Sequence, residues 1–331
     1  MHDELILEMI ASLDTFRLPP MITLDVTNVC NLHCIHCPYP AIEAKSDFKV
    51  AHFPWEYFEK LVQELSEHDQ PCLLRLVGDG EPMLHPRLIE MVQLAKARTS
   101  CVVNLTTNGT FLSDEKIDKL LEAKIDLIDV SLDAVSKPVY EAIRKKSSYE
   151  HVMRNMFALL ERRIQKSSVT KVMVSFIRQS ENEAEAELFE RYWQPLVDHV
   201  MIRELHSALG RVKQEESATR AQVYQIERYP CPHLWKRLVI DSRGRIKFCA
   251  TDWGDETMIG NIGERSLKSL WRGEQLNRLR RQHLDNRIEE GSACKKCNDW
   301  ASCKWDWGYE RLVDKVVYEQ PTLAPNLPLL Q

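Results

Sequence analysis

From Met21 to about Leu205 the sequence repeats one unit: a short β-rich run, then an amphipathic helix. The runs read MITLDVTN (21–28), CLLRLVGDG (72–80), CVVNLTTNG (101–109), IDLIDVSLD (125–133), TKVMVSFIRQ (170–179) and HVMIREL (199–205). Between them, stretches such as FPWEYFEKLVQELSEH and LSDEKIDKLLEAK repeat apolar residues at intervals of three and four, the period of a helix with one buried face. Nearly continuous apolar strands alternating with such helices require a parallel sheet covered on its outer face. Six such runs suit an α/β architecture of the partial (β/α)6 barrel type better than a closed eightfold barrel. Ligands of such sheets bind at the C-terminal strand ends, and the polar residues fall there. Cys30 follows the first strand, Gly78–Pro82 the second, Thr107–Gly109 the third, Ser131–Asp133 the fourth, Ser175–Gln179 the fifth and Arg203–His206 the sixth.

The first of those ends carries CNLHCIHC, residues 30–37, with the spacing Cys30-x3-Cys34-x2-Cys37. A structural zinc site takes four ligands, commonly as two separated pairs. A disulfide framework belongs to small secreted chains. Three thiols this close, with no fourth beside them, describe a metal site with one corner open. Of the other cysteines, Cys72 and Cys101 stand in apolar runs and read as core. Cys231, Cys249, Cys294, Cys297 and Cys303 form a second group.

The first motif, placed directly after the first strand of a β/α alternation, resembles the radical S-adenosylmethionine (SAM) superfamily. The resemblance implies that Cys30, Cys34 and Cys37 hold a 4Fe-4S cluster whose remaining iron binds SAM, and thiolate is the ligand type that selects such clusters. It also implies reductive cleavage of SAM to a 5′-deoxyadenosyl radical that abstracts a substrate hydrogen, with electrons from a flavodoxin or ferredoxin-type donor. Gly80 and Glu81 in GDGEP resemble the family's GGE motif, with the first glycine displaced. Ser131 in SLDA resembles its SLDG strand end. Arg144 stands where a SAM-carboxylate partner is often found, and His36 occupies a frequently aromatic slot. Asn108, Ser175 and Leu205 complete the expected cofactor contacts. An incomplete zinc knuckle is the alternative for the three cysteines.

The second group, Cys231-x17-Cys249-x44-Cys294-x2-Cys297, resembles the SPASM and twitch extensions of that superfamily, which carry auxiliary 4Fe-4S clusters. A full SPASM domain has further cysteines that this chain lacks, for instance where Trp307 stands. The expectation is one auxiliary cluster on Cys231, Cys249, Cys294 and Cys297, with Cys303 left over as a hydrogen-atom donor. Spacing alone leaves zinc on those four ligands open. Arg203, Glu204 and His206 at the barrel mouth are candidates to deprotonate or orient a substrate.

These readings divide the chain into a helical lead-in (1–20), the partial barrel (21–206), a linker (207–230), a SPASM or twitch-like domain of a β-hairpin around Ser242-Arg243-Gly244 plus helix (231–318), and a Pro-rich flexible tail (319–331). The formal charge of -5 disfavours general nucleic-acid binding. No apolar run reaches membrane length, and the acidic N-terminus MHDELILEMI does not read as a signal peptide. The expected setting is the cytoplasm, where ten cysteines mean metal or redox chemistry. The expected activity is oxidation or epimerisation of a small polar substrate such as a sugar, cyclitol or aminoglycoside. The alternative is modification of a peptide or protein, as in maturation of ribosomal peptides or sulfatases. Only 29 residues precede Cys30, which weakens that alternative, since many peptide-modifying relatives place a recognition domain there.

Overall fold

The computed structural model describes residues 7–8, 10–11, 17–67, 72–212, 228, 230–303, 305 and 308–319. The lead-in, the linker and the tail expected from sequence lie largely outside these.

Six strands follow the expected order: β1 (Met21–Asp25), β2 (Leu73–Val77), β3 (Val102–Thr107), β4 (Leu127–Ser131), β5 (Lys171–Arg178) and β6 (His199–Glu204). Each pairs in parallel with its predecessor. The sheet stays open, as a partial barrel does. Its other edge is where sequence reading fell short. β7 (Arg237–Ile240) pairs in parallel with β1, Met21 opposite Arg237, and carries antiparallel β8 (Arg245–Lys247) and then β9 (Met258–Asn261). The expected hairpin therefore extends the barrel sheet instead of standing apart from it. The order is β6-β5-β4-β3-β2-β1-β7-β8-β9.

Helices such as Trp55–Ser66, Asp114–Glu122 and Tyr149–Gln165 cover the outer face with their apolar stripes, burying Phe58, Leu61, Ile117, Leu120, Met156 and Leu159. Ser113 and Ser148 cap the last two helices by accepting from the backbone N–H three residues on.

The inner face is layered, because alternate residues of a strand share one side. Met21, Leu73, Val102, Leu127, Met173 and Met201 form an apolar floor against Tyr309, Val313 and Val316. The C-terminal helix Tyr309–Asp314 thus closes the bottom of the barrel. Two residues further along each strand stand Thr23, Arg75, Asn104, Asp129, Ser175 and Arg203. Asp129 is the hub of this polar layer. It accepts from Ser175 Oγ, from Tyr309 OH at 3.2 Å and from Thr106 Oγ1 at 3.4 Å, and lies 3.9 Å from the Arg75 guanidinium. Arg75 also stacks on the Tyr309 ring, 4.0 Å from its centroid.

Candidate functional site

Beyond β1 the chain runs through Val26–Val29 into the loop bearing Cys30, Cys34 and Cys37. The loop is pinned by its neighbours. His33 N–H donates to Lys145 O and Ile35 N–H to Ile143 O, each at 3.0 Å, and Asn31 bridges Thr110 and Asn108, also at 3.0 Å. On the other side Glu81 N–H donates to Val29 O at 2.8 Å. Gly80 permits this approach, since a Cβ there would press on the Val29 carbonyl and sit 2.6 Å from Thr27 O. Gly78, with φ 137°, makes the turn out of β2 in a region that L side chains rarely adopt.

Glu81 is 2% exposed. Its carboxylate accepts from Thr107 Oγ1 at 2.6 Å, Asn108 N–H at 2.7 Å and Met83 N–H at 3.0 Å. Burial nevertheless raises its pKa, with those donors pulling the other way. Arg144 donates to Asp133 Oδ2 at 2.6 Å and to Leu132 O at 3.3 Å, both groups buried. His36 lies 3.8 Å from Asp133 and 3.2 Å from the Gln179 amide, and burial lowers its pKa toward the neutral ring.

Cys30, Cys34, Cys37, His36, Gly80, Glu81, Asn108, Ser131, Arg144, Leu205 and His206 line one cavity of about 1040 Å³. The expected cofactor contacts meet there with one exception. Ser175 is fully buried and donates to Asp129, so it serves the polar layer beneath. The three sulfurs suit a soft metal group. Backbone N–H groups of Leu32 and Tyr39 point at the Cys30 and Cys37 sulfurs, at 3.5 and 3.4 Å, as donors to thiolate would. Burial pushes Cys30 up to about 11 and Cys37 to about 12, so without a metal these thiols would keep their protons.

The second group also converges. Cys231, Cys249, Cys294, Cys297 and Cys303 line a cavity of about 450 Å³ together with His233 and His283. Cys303, set aside by the spacing argument, lies beside Cys231: the ligand atoms of Cys231, His233 and Cys303 are all within 4.8 Å of one another. Its sulfur is 3.3 Å from His233 Nε2. Burial pushes Cys249 and Cys294 to about 12 and drives His233 well below its usual value, leaving a neutral ring. No disulfide joins any of the ten cysteines. A sulfur-rich donor set of this kind suits an iron–sulfur cluster.

A third cavity, about 1680 Å³, lies between the two. It shares His206, Ala250 and Thr251 with the first and His233, Thr251 and Cys303 with the second. Arg203, Glu204 and His206 all line it, with Arg237, Lys236 and Tyr309. Sequence reading missed Arg237 and Tyr309, since only the docking of β7 and of the C-terminal helix brings them inward.

The family model of the Radical SAM superfamily matches residues 24–189, and that of an iron-sulfur cluster-binding domain, SPASM, matches residues 231–298. An uncharacterized protein of Treponema pallidum is 24% identical, covering 86% of this chain and 79% of its own length. A GTP 3′,8-cyclase of Chlorobaculum tepidum is 28% identical over 56% of this chain, and the chain spans only 57% of that protein. Among solved structures, BtrN in complex with AdoMet and 2-DOIA covers 85% of this chain and 93% of its own, with 17% identity and a TM-score of 0.57. Native anSMEcpe with bound AdoMet and Cp18Cys peptide covers 91% of this chain and 96% of its own, with 18% identity and a TM-score of 0.60. At these identities the solved structures speak for the fold.

Proposed function

The chain belongs to the radical SAM superfamily and carries a C-terminal SPASM domain, and from that premise we propose that it oxidises or epimerises a small polar molecule held between its two thiol groups. Its cofactors are SAM and 4Fe-4S clusters. Cys30, Cys34 and Cys37 would hold the cluster that binds SAM, and Cys231, Cys249, Cys294 and Cys297 an auxiliary one. When bound and reduced by a flavodoxin or ferredoxin-type donor, the first cluster would supply the one-electron chemistry for reductive cleavage of SAM and removal of a substrate hydrogen atom.

The observation that carries this reading is the chamber that shares wall residues with both thiol cavities. A substrate seated there would face SAM on one side and Cys303 on the other. The chain's own residues supply the rest. Gly80 and Glu81 buttress the Cys30–Cys37 loop through Val29, and Asn108 ties that loop to β3 through Asn31. Arg144, held by Asp133, keeps a fixed cation on the wall of the SAM cavity. In the chamber Arg203 and Glu204 orient the substrate, and His206 takes up a proton. His206 lines both the SAM cavity and the chamber, so its ring can reach a substrate lying between them. Cys303, with His233 against its sulfur, would return a hydrogen atom.

Among the described residues, no helix is long and apolar enough to cross a membrane. Ten free cysteines, none of them exposed, fit a reducing cytoplasm. The test is the reconstituted enzyme in D2O with candidate sugars and cyclitols. Oxidation yields a carbonyl product with no solvent deuterium at the reacting carbon, whereas epimerisation incorporates one. A peptide crosslink or thioether as the sole product would overturn the small-molecule reading.

A further inference from the structure

The chamber between the two thiol groups is lined by four cations, Arg75, Arg203, Lys236 and Arg237, and by two acids, Glu204 and Glu310. The cations are not equally answered. Arg75 has Thr106, at 3.1 Å, and Asp129. Lys236 has Glu310, at 3.2 Å, and the Trp305 carbonyl, at 2.9 Å. Glu204 is exposed. The half-buried side chains of Arg203 and Arg237 make no hydrogen bond or ion pair with any described residue, and the Nε of each is buried.

Two such groups are costly to keep. A guanidinium with its Nε shut off from water and no anion in contact loses hydration there that nothing returns. Asp129 reaches Arg203 through its charge but not by contact, because Ser175, Thr106 and Tyr309 already donate to it and Arg75 lies against it. The sheet makes the arrangement rigid. Arg203 projects from β6 and Arg237 from β7, strands packed by parallel pairing on β5 and β1. His206 feels the charge of both. We infer that the chamber binds an anionic substrate, a small molecule whose phosphate or carboxylate oxygens are received by Arg203 and Arg237. A guanidinium fork presents paired N–H donors to either group. The inference rests on the chamber being the substrate site proposed above, and it turns that reading away from polycationic aminoglycosides toward phosphorylated or acidic sugars and cyclitols.

The test titrates the anaerobically reconstituted, SAM-bound enzyme with inorganic phosphate, acetate and neutral myo-inositol by calorimetry, and measures 5′-deoxyadenosine in parallel. Phosphate or acetate should bind saturably, the stronger of the two naming the oxyanion, while myo-inositol shows no comparable heat. Arg203→Gln and Arg237→Gln should each weaken that binding by about 10–100-fold. Arg203→Lys, which keeps the charge, should recover part of it. Iron content and cooperative thermal unfolding of the reconstituted protein should persist in all three, which excludes misfolding. Arg243→Gln, in a separate basic cleft with Lys45 and Arg245, should leave binding unchanged. Absence of binding, or binding that follows Arg243 and ignores Arg203 and Arg237, overturns the inference. A wild type that cleaves SAM but binds neither probe refutes the anionic substrate and leaves the family chemistry standing. A wild type that binds phosphate at these arginines yet never forms 5′-deoxyadenosine does the reverse.

Discussion

Replacing Glu81 by Gln probes the joint between the Cys30–Cys37 loop and the SAM cavity, and its cost follows from hydrogen-bond geometry. Three donors converge on the Glu81 carboxylate: Thr107 Oγ1, Asn108 N–H and Met83 N–H. A glutamine amide offers one oxygen. Turned one way, its NH2 meets Asn108 N–H. Turned the other, it meets Met83 N–H, while the Thr107 hydroxyl can rotate and accept. Either orientation leaves one buried backbone N–H unanswered, a cost of about 1–3 kcal/mol. Near 2 °C per kcal/mol for a chain of this size, the melting temperature of the apoprotein should fall by roughly 2–6 °C. The pH dependence adds a signed test. Burial raises the folded pKa of Glu81 above 4.5, so the folded chain holds more protons than the unfolded one between the two values. The wild-type stability from this group is therefore complete at low pH and declines as pH rises through the folded pKa. The gap between wild type and variant should be larger at pH 5 than at pH 8. SAM binding should weaken as the Thr107–Asn108 turn loosens, with iron content intact. A variant as stable as wild type at both pH values, or a gap that widens with pH, would refute this account of Glu81.

Three further perturbations follow from the same geometry. Gly80→Ala should destabilise the protein by several kcal/mol and lower cluster occupancy on Cys30, Cys34 and Cys37, because the added methyl meets the Thr27 and Val29 backbone; unchanged melting and iron content would contradict it. Asp79, with its pKa pushed by burial from 3.8 up to about 6, should make the wild type less stable as pH rises from 4 to 7, so Asp79→Asn should stabilise the apoprotein by about 1–3 kcal/mol at pH 7.5 and leave it unchanged near pH 4, read by urea denaturation at both. Cys303→Ala should keep the auxiliary cluster and block inversion without blocking SAM cleavage, whereas Cys231→Ala should lose it; loss in Cys303→Ala with retention in Cys294→Ala would reassign the ligands.

The strands of the barrel were legible because each is an apolar run of ordinary length between amphipathic helices, and the two cysteine groups because thiol spacing is a local signal. What escaped was nonlocal. Nothing in RLVI (237–240) says that it pairs with MITLD (21–25), so nothing in the hairpin pattern singled out Arg237 as part of the chamber. Tyr309 reaches Asn104 and Asp129 only because the C-terminal helix returns to the barrel floor. Ser175 was placed with the cofactor because it sits near a strand end, yet the alternation of β5 points it at Asp129, one layer below. Arg203 lies in that same polar layer, deeper than a mouth residue. Cys303 was set aside by counting four ligands, and counting cannot register that folding lays it against Cys231 and His233.

The central claim is that Cys30, Cys34 and Cys37 carry the cluster that activates SAM, with a second cluster on the C-terminal cysteines. Anaerobic reconstitution followed by iron and sulfide analysis, with 5′-deoxyadenosine measured under dithionite, tests it directly. The wild type should hold about eight iron and eight sulfide per chain, four for each 4Fe-4S cluster, and should form 5′-deoxyadenosine. The triple Cys30→Ala, Cys34→Ala, Cys37→Ala variant should keep about four of each and form none. Undiminished 5′-deoxyadenosine in the triple variant, or stoichiometric zinc in place of iron in the wild type, would contradict the account.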